Sequence, residues 1–171
     1  MSRSRNIILV VSTLEPRKNG PFLFHWFLNT RVLSAETELW WVGPRGWLVD
    51  DKAGRGSQGR KIRFLGFVPD RELCHLYRQA SLTIYPSLYE GFGFPVLDSL
   101  RHGAPVLSSF NSSLQEFAGP GVFYFDPCDP ASLDEACRQL LAASPMALKR
   151  RDLDDRFSWE AMARNVLSLC A

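Results

Sequence analysis

Residues Leu88–Asp98 read LYEGFGFPVLD, and this stretch decides how the rest of the chain is read. Two glycines stand one residue apart, a proline follows, and Glu90 and Asp98 are separated by seven residues. The segment before it, SLTIYPS (Ser81–Ser87), is apolar without alternation, as in a strand covered by helices on both faces. The segment after it has Pro95 at a first-turn position and stops at Gly103, which predicts a helix. A glycine turn between a buried strand and a helix lets the backbone approach a ligand closely or adopt positive φ. The turn is not the GxGxxG dinucleotide fingerprint, because the third glycine is absent and the loop follows the fourth predicted strand.

Outward from this turn, five more apolar runs predict strands: Asn6–Ser12, Glu38–Gly43, Lys61–Gly66, Ala104–Ser109 and Gly121–Asp126, each buried on both faces. Helices are expected over Pro21–Thr30, Asp70–Ala80 with Asp70 as N-cap, Ser112–Gly119 with a serine cap, Asp129–Ser144 with Asp129 as cap, and from Ser158 onward. The alternation predicts an α/β, doubly wound Rossmann-like fold with a six-stranded parallel sheet, residues 1–171 forming one domain. The connection Pro44–Arg60 is Gly-rich and polar where a crossover helix is usual. At most a short helix near Trp47–Lys52, followed by a mobile loop, is expected there.

Composition narrows the partners. The 171 residues suit one domain, 46% are hydrophobic and 22% charged, and the net charge of +2 gives no reason to expect nucleic acid. LKRRDLDDR (Leu148–Arg156) balances its bases with acids and reads as a solvated helical face. Cys74, Cys128, Cys137 and Cys170 form no CxxC pair, which favours reduced thiols in a cytosolic compartment. His25, His75 and His102 lack metal-ligand spacing. IILVV after Arg3 and Arg5 is too short for a signal-peptide core, and no run reaches membrane-span length.

In an open parallel sheet, ligands sit beyond the carboxyl ends of the strands. Two such ends stand out. STLEPRKNG (Ser12–Gly20) places Arg17 and Lys18 before a helix, the unfavourable end of the dipole for cations. An anion such as phosphate bound between them and free N–H groups would explain this, and a solvated turn explains it equally well. At the second end, Asp98 suits the start of a helix without any ligand. Glu90 has no such local reason, and an acceptor-only carboxylate beside a glycine turn suits the hydroxyls of a sugar.

The chain resembles the C-terminal, donor-binding domain of the retaining glycosyltransferases of family 4, which have the GT-B fold. The resemblance runs in order through STLEPRKN, WWVGPRGW, IRFLGFVPDRELCHLYRQA, LTIYPSLYEGFGFPVLDSLRHGAPVLSS, SSLQEFAG, FYFDPCDPASLDEAC and FSWEAMA. It implies a donor-binding role for Thr13, Arg17, Lys18, Pro44, Val68, Glu90, Gly91, Phe92, Gly93, Phe94, Pro95, Val96, Leu97 and Asp98. Of these, Glu90 and Lys18 would be the catalytic pair: Glu90 near the donor sugar, Lys18 neutralising the diphosphate. Asp98 would hold the ribose, the amides of Gly91–Gly93 would meet sugar hydroxyls, and Phe94–Leu97 would bring N–H groups to the diphosphate. Pro44 and Val68 would border the base.

Some residues depart from the family pattern. Asp98 replaces a more usual Glu, Ser12 a frequent glycine, Gln115 a frequent proline, and Thr13 stands near the place of an arginine. The three histidines do not match the family's active-site histidine, which belongs to the N-terminal half. The resemblance implies no cofactor and no metal, with a nucleoside diphosphate sugar, GDP-mannose or a UDP-sugar, as donor. It implies hexose transfer to a sugar or lipid-linked acceptor in polysaccharide or lipopolysaccharide synthesis. The partner would be the N-terminal acceptor domain of the same enzyme or a separate subunit, and the location cytoplasmic, at the inner membrane face through that other half. The alternative is a non-catalytic nucleotide-sugar-binding or interaction subunit. An NAD-binding or receiver domain lacks support, for want of GxGxxG or an acidic cluster after the first strand.

Overall fold

The computed structural model describes residues 6–46, 59–144 and 153–169. Its strands are β1 (Ile7–Val11), β2 (Glu38–Val42), β3 (Lys61–Gly66), β4 (Leu82–Tyr85), β5 (Val106–Ser109) and β6 (Val122–Phe125). They form one parallel sheet in the order β3-β2-β1-β4-β5-β6. The helices are α1 (Gly20–Asn29), α2 (Asp70–Gln79), α3 (Phe94–Arg101), α4 (Pro130–Ala142), α5 (Leu153–Arg156) and α6 (Trp159–Leu169). The α/β Rossmann-like architecture is the one expected.

Strand side chains alternate between two helical layers. Ile8 and Val10 of β1, with Leu82 and Ile84 of β4, pack against Leu23, Trp26 and Phe27 of α1 and Leu133 and Cys137 of α4. On the other face, Leu9 and Val42 meet Tyr77 of α2, and Tyr85 and Val106 meet Val96, Leu97 and Leu100 of α3. Both faces of the central strands are therefore covered, which is why their sequence is apolar without alternation. β3 is different. It lies at the sheet edge and alternates exposed with half-buried residues, so the expectation of burial on both faces fails there.

Other local expectations shift. Asp70 opens α2 as its first residue, Pro69 is the N-cap, and no side chain caps the helix. Asp129 does cap α4, accepting from Ala131 N–H at 2.9 Å. Ser112–Phe117 is a 3-10 turn rather than an α-helix, and no serine caps it. In LKRRDLDDR, residues 148–152 lie outside the described residues; Leu153 is buried against the α3 cluster and Arg156 is exposed. The short helix expected near Trp47–Lys52 lies outside the described residues. At the far end of that connection, Arg60 is fully buried. It donates to the carbonyls of Phe27, Thr30, Leu33 and Ser34. A cation at the C-terminal end of α1 satisfies carbonyls that the helix leaves open.

Candidate functional site

The sheet order reverses between β1 and β4, and an open α/β sheet leaves its crevice at that point. The two unusual loops are the ones that leave these two strands. Lys18 ends a 3-10 turn, Pro16–Lys18, and is buried although charged. Its Nζ donates to Glu90 Oε1 at 2.5 Å, and Arg17 Nη1 donates to Glu90 Oε2 at 3.0 Å. Ser87 Oγ donates to the same Glu90 Oε1 at 2.7 Å. Arg17 also ion-pairs with Glu15 at 2.6 Å and donates to Tyr89 O at 3.2 Å. The anion between Arg17 and Lys18 is thus the Glu90 carboxylate. Burial pushes its pKa upward, but the bonds from Lys18, Ser87 and Arg17 and the charge of Lys18 outweigh that and hold it below the usual carboxylate range.

The glycine turn follows directly. Gly93 has φ of 104°, and a Cβ there would lie 2.7 Å from Leu114 Cδ2 and 3.0 Å from Phe117, so this position requires glycine on two grounds. Gly91 has no positive φ, and an added Cβ would meet nothing within 4 Å. The space beside it is open. The N–H groups of Gly91, Phe92, Gly93 and Phe94 donate to nothing among the described residues. Pro95 has no N–H, and those of Val96 and Leu97 already donate to Gly93 O at 2.9 and 3.3 Å. Val96 and Leu97 also bury their side chains in the core. Among the described residues, the open donors of this segment are therefore those of 91–94, and Phe94 alone is shared with the 94–97 segment that the resemblance implied for the diphosphate.

Asp98 is the fifth residue of α3, past its first turn, so the helix dipole does not account for it. Its carboxylate is half-buried and has no hydrogen bond among the described residues. Burial raises its pKa, against the lowering charges of His102 and Arg101. Neither of its oxygens is buried without a partner, so solvent reaches the carboxylate and a ligand hydroxyl could take that place. Nearby, Tyr85 and Tyr77 donate to Pro95 O at 3.0 and 3.4 Å and fix the start of α3 from behind.

The loops after β1 and β2 are laced together. Leu14 N–H donates to Pro44 O at 3.0 Å, and Ser12 N–H to Val42 O at 2.9 Å. Thr13 is half-buried and Pro44 exposed at the same rim. Ser12 Oγ is buried and finds no partner among the described residues. Val68 is half-buried and packs, with Leu73 and Leu76, against the cluster under α2. His102 stacks on Tyr77 and His75 bonds Gln79. Among the described residues, no group of three or more His, Cys, Asp or Glu could hold a metal ion, and no helix is long and apolar enough to cross a membrane. Cys74, Cys128 and Cys137 are free thiols, and Cys170 lies outside the described residues.

The sequence reading missed the serines that hold the turn. Ser112 Oγ accepts from Glu90 N–H at 3.0 Å, and Ser113 Oγ donates to Glu90 O and Phe92 O at 3.0 and 2.9 Å. Asn111 and Ser109 both donate to Ser87 O. In sequence, a serine pair after a strand reads as a helix cap, because capping and bridging use the same residue types.

Residues 5–143 match the family described as Glycosyl transferases group 1. The chain belongs to that family. It is 34% identical over 168 residues to O-antigen chain mannosyltransferase B of Escherichia coli, covering 89% of this chain and 42% of that protein. Among solved structures it is similar to sucrose-phosphate synthase from Thermosynechococcus elongatus, with TM-score 0.76, 22% identity, and coverage of 99% of this chain and 45% of that one. HepE of Anabaena, solved in complex with UDP and glucose, gives TM-score 0.77 at 17% identity over 98% of this chain and 48% of that one. These two likenesses show the fold, that of GT-B glycosyltransferases. The chain spans less than half the length of each of these proteins.

Proposed function

We propose that residues 1–171 are the donor-binding domain of a family-4 retaining glycosyltransferase, and that its ligand is a nucleoside diphosphate sugar. One observation carries this reading: open amide donors at Gly91–Phe94 stand on a loop that is ion-paired through Glu90 to the buried cation Lys18. N–H groups and a cation close together suit a phosphate. Lys18 and the start of α3 then stabilise the departing diphosphate, where negative charge grows during transfer. Glu90 accepts from sugar hydroxyls as the cations pass to the phosphates, and Asp98 accepts from the ribose. Thr13, Pro44 and Val68 border the nucleoside. The mannosyltransferase relative supports GDP-mannose as donor and mannose as the transferred hexose.

The acceptor site and the closing surface belong to a second domain, in the same polypeptide or in a partner subunit. The outer face of α6 supports such a contact, with Trp159, Met162, Val166 and Leu167 exposed together at helical spacing. The 171-residue chain alone is expected to bind nucleotide weakly and to transfer no sugar. Calorimetric titration with GDP, UDP and ADP, with Lys18→Ala as control, tests the reading. Binding of one nucleotide that is lost in the variant supports it; equal binding by the variant, or none by the wild type, counts against it.

A further inference from the structure

We infer that Ser113 is a positioning residue that aims two backbone amides of the glycine turn at an oxygen of the ligand. The inference rests on the donor-site reading above. Ser113 Oγ lies 3.0 Å from Glu90 O and 2.9 Å from Phe92 O, so one hydroxyl proton is shared between two carbonyls of the same turn. A peptide unit is planar and trans, so its C=O and N–H point in opposite directions. Holding Glu90 O toward Ser113 sends the Gly91 N–H the other way, and holding Phe92 O sends the Gly93 N–H the other way. These are two of the amides that find no partner among the described residues.

The preceding peptide unit obeys the same rule. Glu90 N–H points to Ser112 Oγ, and Tyr89 O, on the opposite side of that unit, accepts from Arg17 Nη1. Ser112 itself has φ of 43°, a left-handed conformation that a residue with a Cβ adopts only when its surroundings impose it. The 3-10 turn after β5 is thus bent to present two hydroxyls to the loop after β4. Gly93 seats against Leu114 and Phe117 of that turn, so the two segments are locked in register. A serine that served only to start a helix would spend its oxygen on its own N–H groups, and no such bond is made.

The test compares wild type, Ser113→Ala and Ser113→Thr. Amide NMR without ligand reads Gly91 and Gly93; calorimetric titration with GDP and with GDP-mannose reads binding. Ser113→Ala is expected to move or broaden both resonances and to weaken binding about tenfold, roughly one hydrogen bond's worth. Ser113→Thr keeps the hydroxyl and restores both. A loss shared by GDP and GDP-mannose supports the inference with a phosphate oxygen as acceptor; a loss for GDP-mannose alone supports it with a sugar hydroxyl. Unmoved resonances, or unchanged affinity in Ser113→Ala, overturn it. If the wild type binds neither nucleotide, the donor-site reading fails, and the positioning role is decided by the resonances alone: moved in Ala and restored in Thr supports it, unmoved overturns it. Should Ser113→Ala unfold, Ser113→Cys, a weaker donor, replaces it with the same expected signs.

Discussion

Glu90 and Asp98 sit at the two ends of one short segment, yet the fold treats them in opposite ways. Glu90 is surrounded by donors: Lys18, Arg17 and Ser87 hold its carboxylate ionised. Asp98 is half-buried with no donor among the described residues, and burial raises its pKa. Their surroundings shift the two carboxylates in opposite directions, a pattern common where two acids serve different tasks. On the donor-site reading proposed above, Glu90 exchanges partners when a ligand enters, whereas Asp98, whose oxygens are not buried, exchanges solvent for a ligand hydroxyl.

The comparison breaks most visibly at Lys18. Lys18→Ala leaves a largely buried carboxylate with only an exposed arginine for charge, at a cost of about 2–4 kcal/mol, and abolishes nucleotide binding. Urea unfolding at pH 7 measures it; a loss under about 0.5 kcal/mol would mean that the ion pair is not what orders this loop. The two glycines come next. Gly93→Ala meets both a positive φ and Leu114, and costs about 2–3 kcal/mol. Gly91→Ala costs under about 0.5 kcal/mol but places a methyl in the open space beside the amides, so it reduces nucleotide affinity without lowering the melting temperature.

The two carboxylates have opposite signs in pH. Glu90 has a lowered folded-state pKa, so its stabilisation is full above the ordinary carboxylate range and fades as pH falls through that lowered value. Asp98 has a raised one, so its contribution is full below the ordinary range and is lost as pH rises through the raised value. At pH 7 Asp98→Asn should therefore raise the melting temperature by about 1–2 °C, whereas Glu90→Gln, which strips buried Lys18 of its counter-charge, should lower it by several degrees. Thermal melts from pH 3 to 7 check both, and changes of the same sign would erase the distinction.

How much of this was legible in the sequence depended on range. The strands and the α4 cap were readable because period and capping are local. β3 was misjudged because edge position depends on strand order, which its own six residues do not encode. Arg60 looked like the end of a mobile loop, since its four carbonyl partners lie 26–33 residues away. At the site, residue types pointed to an anion near Arg17 and Lys18. That this anion is Glu90, more than 70 residues on, emerges only in three dimensions. The serine bridge was hidden for the same reason. The separate roles of Glu90 and Asp98 came from family resemblance; what three dimensions add is that their surroundings shift the two carboxylates in opposite directions.

The most direct test of the donor site is an amide NMR titration of the ligand-free chain with GDP, repeated with UDP and ADP. One nucleotide should shift Lys18, Gly91–Phe94 and the α3 residues around Asp98 together, along a single saturation curve. Shifts confined to one end of the segment, or located elsewhere on the sheet, would contradict a site that joins the two carboxylates.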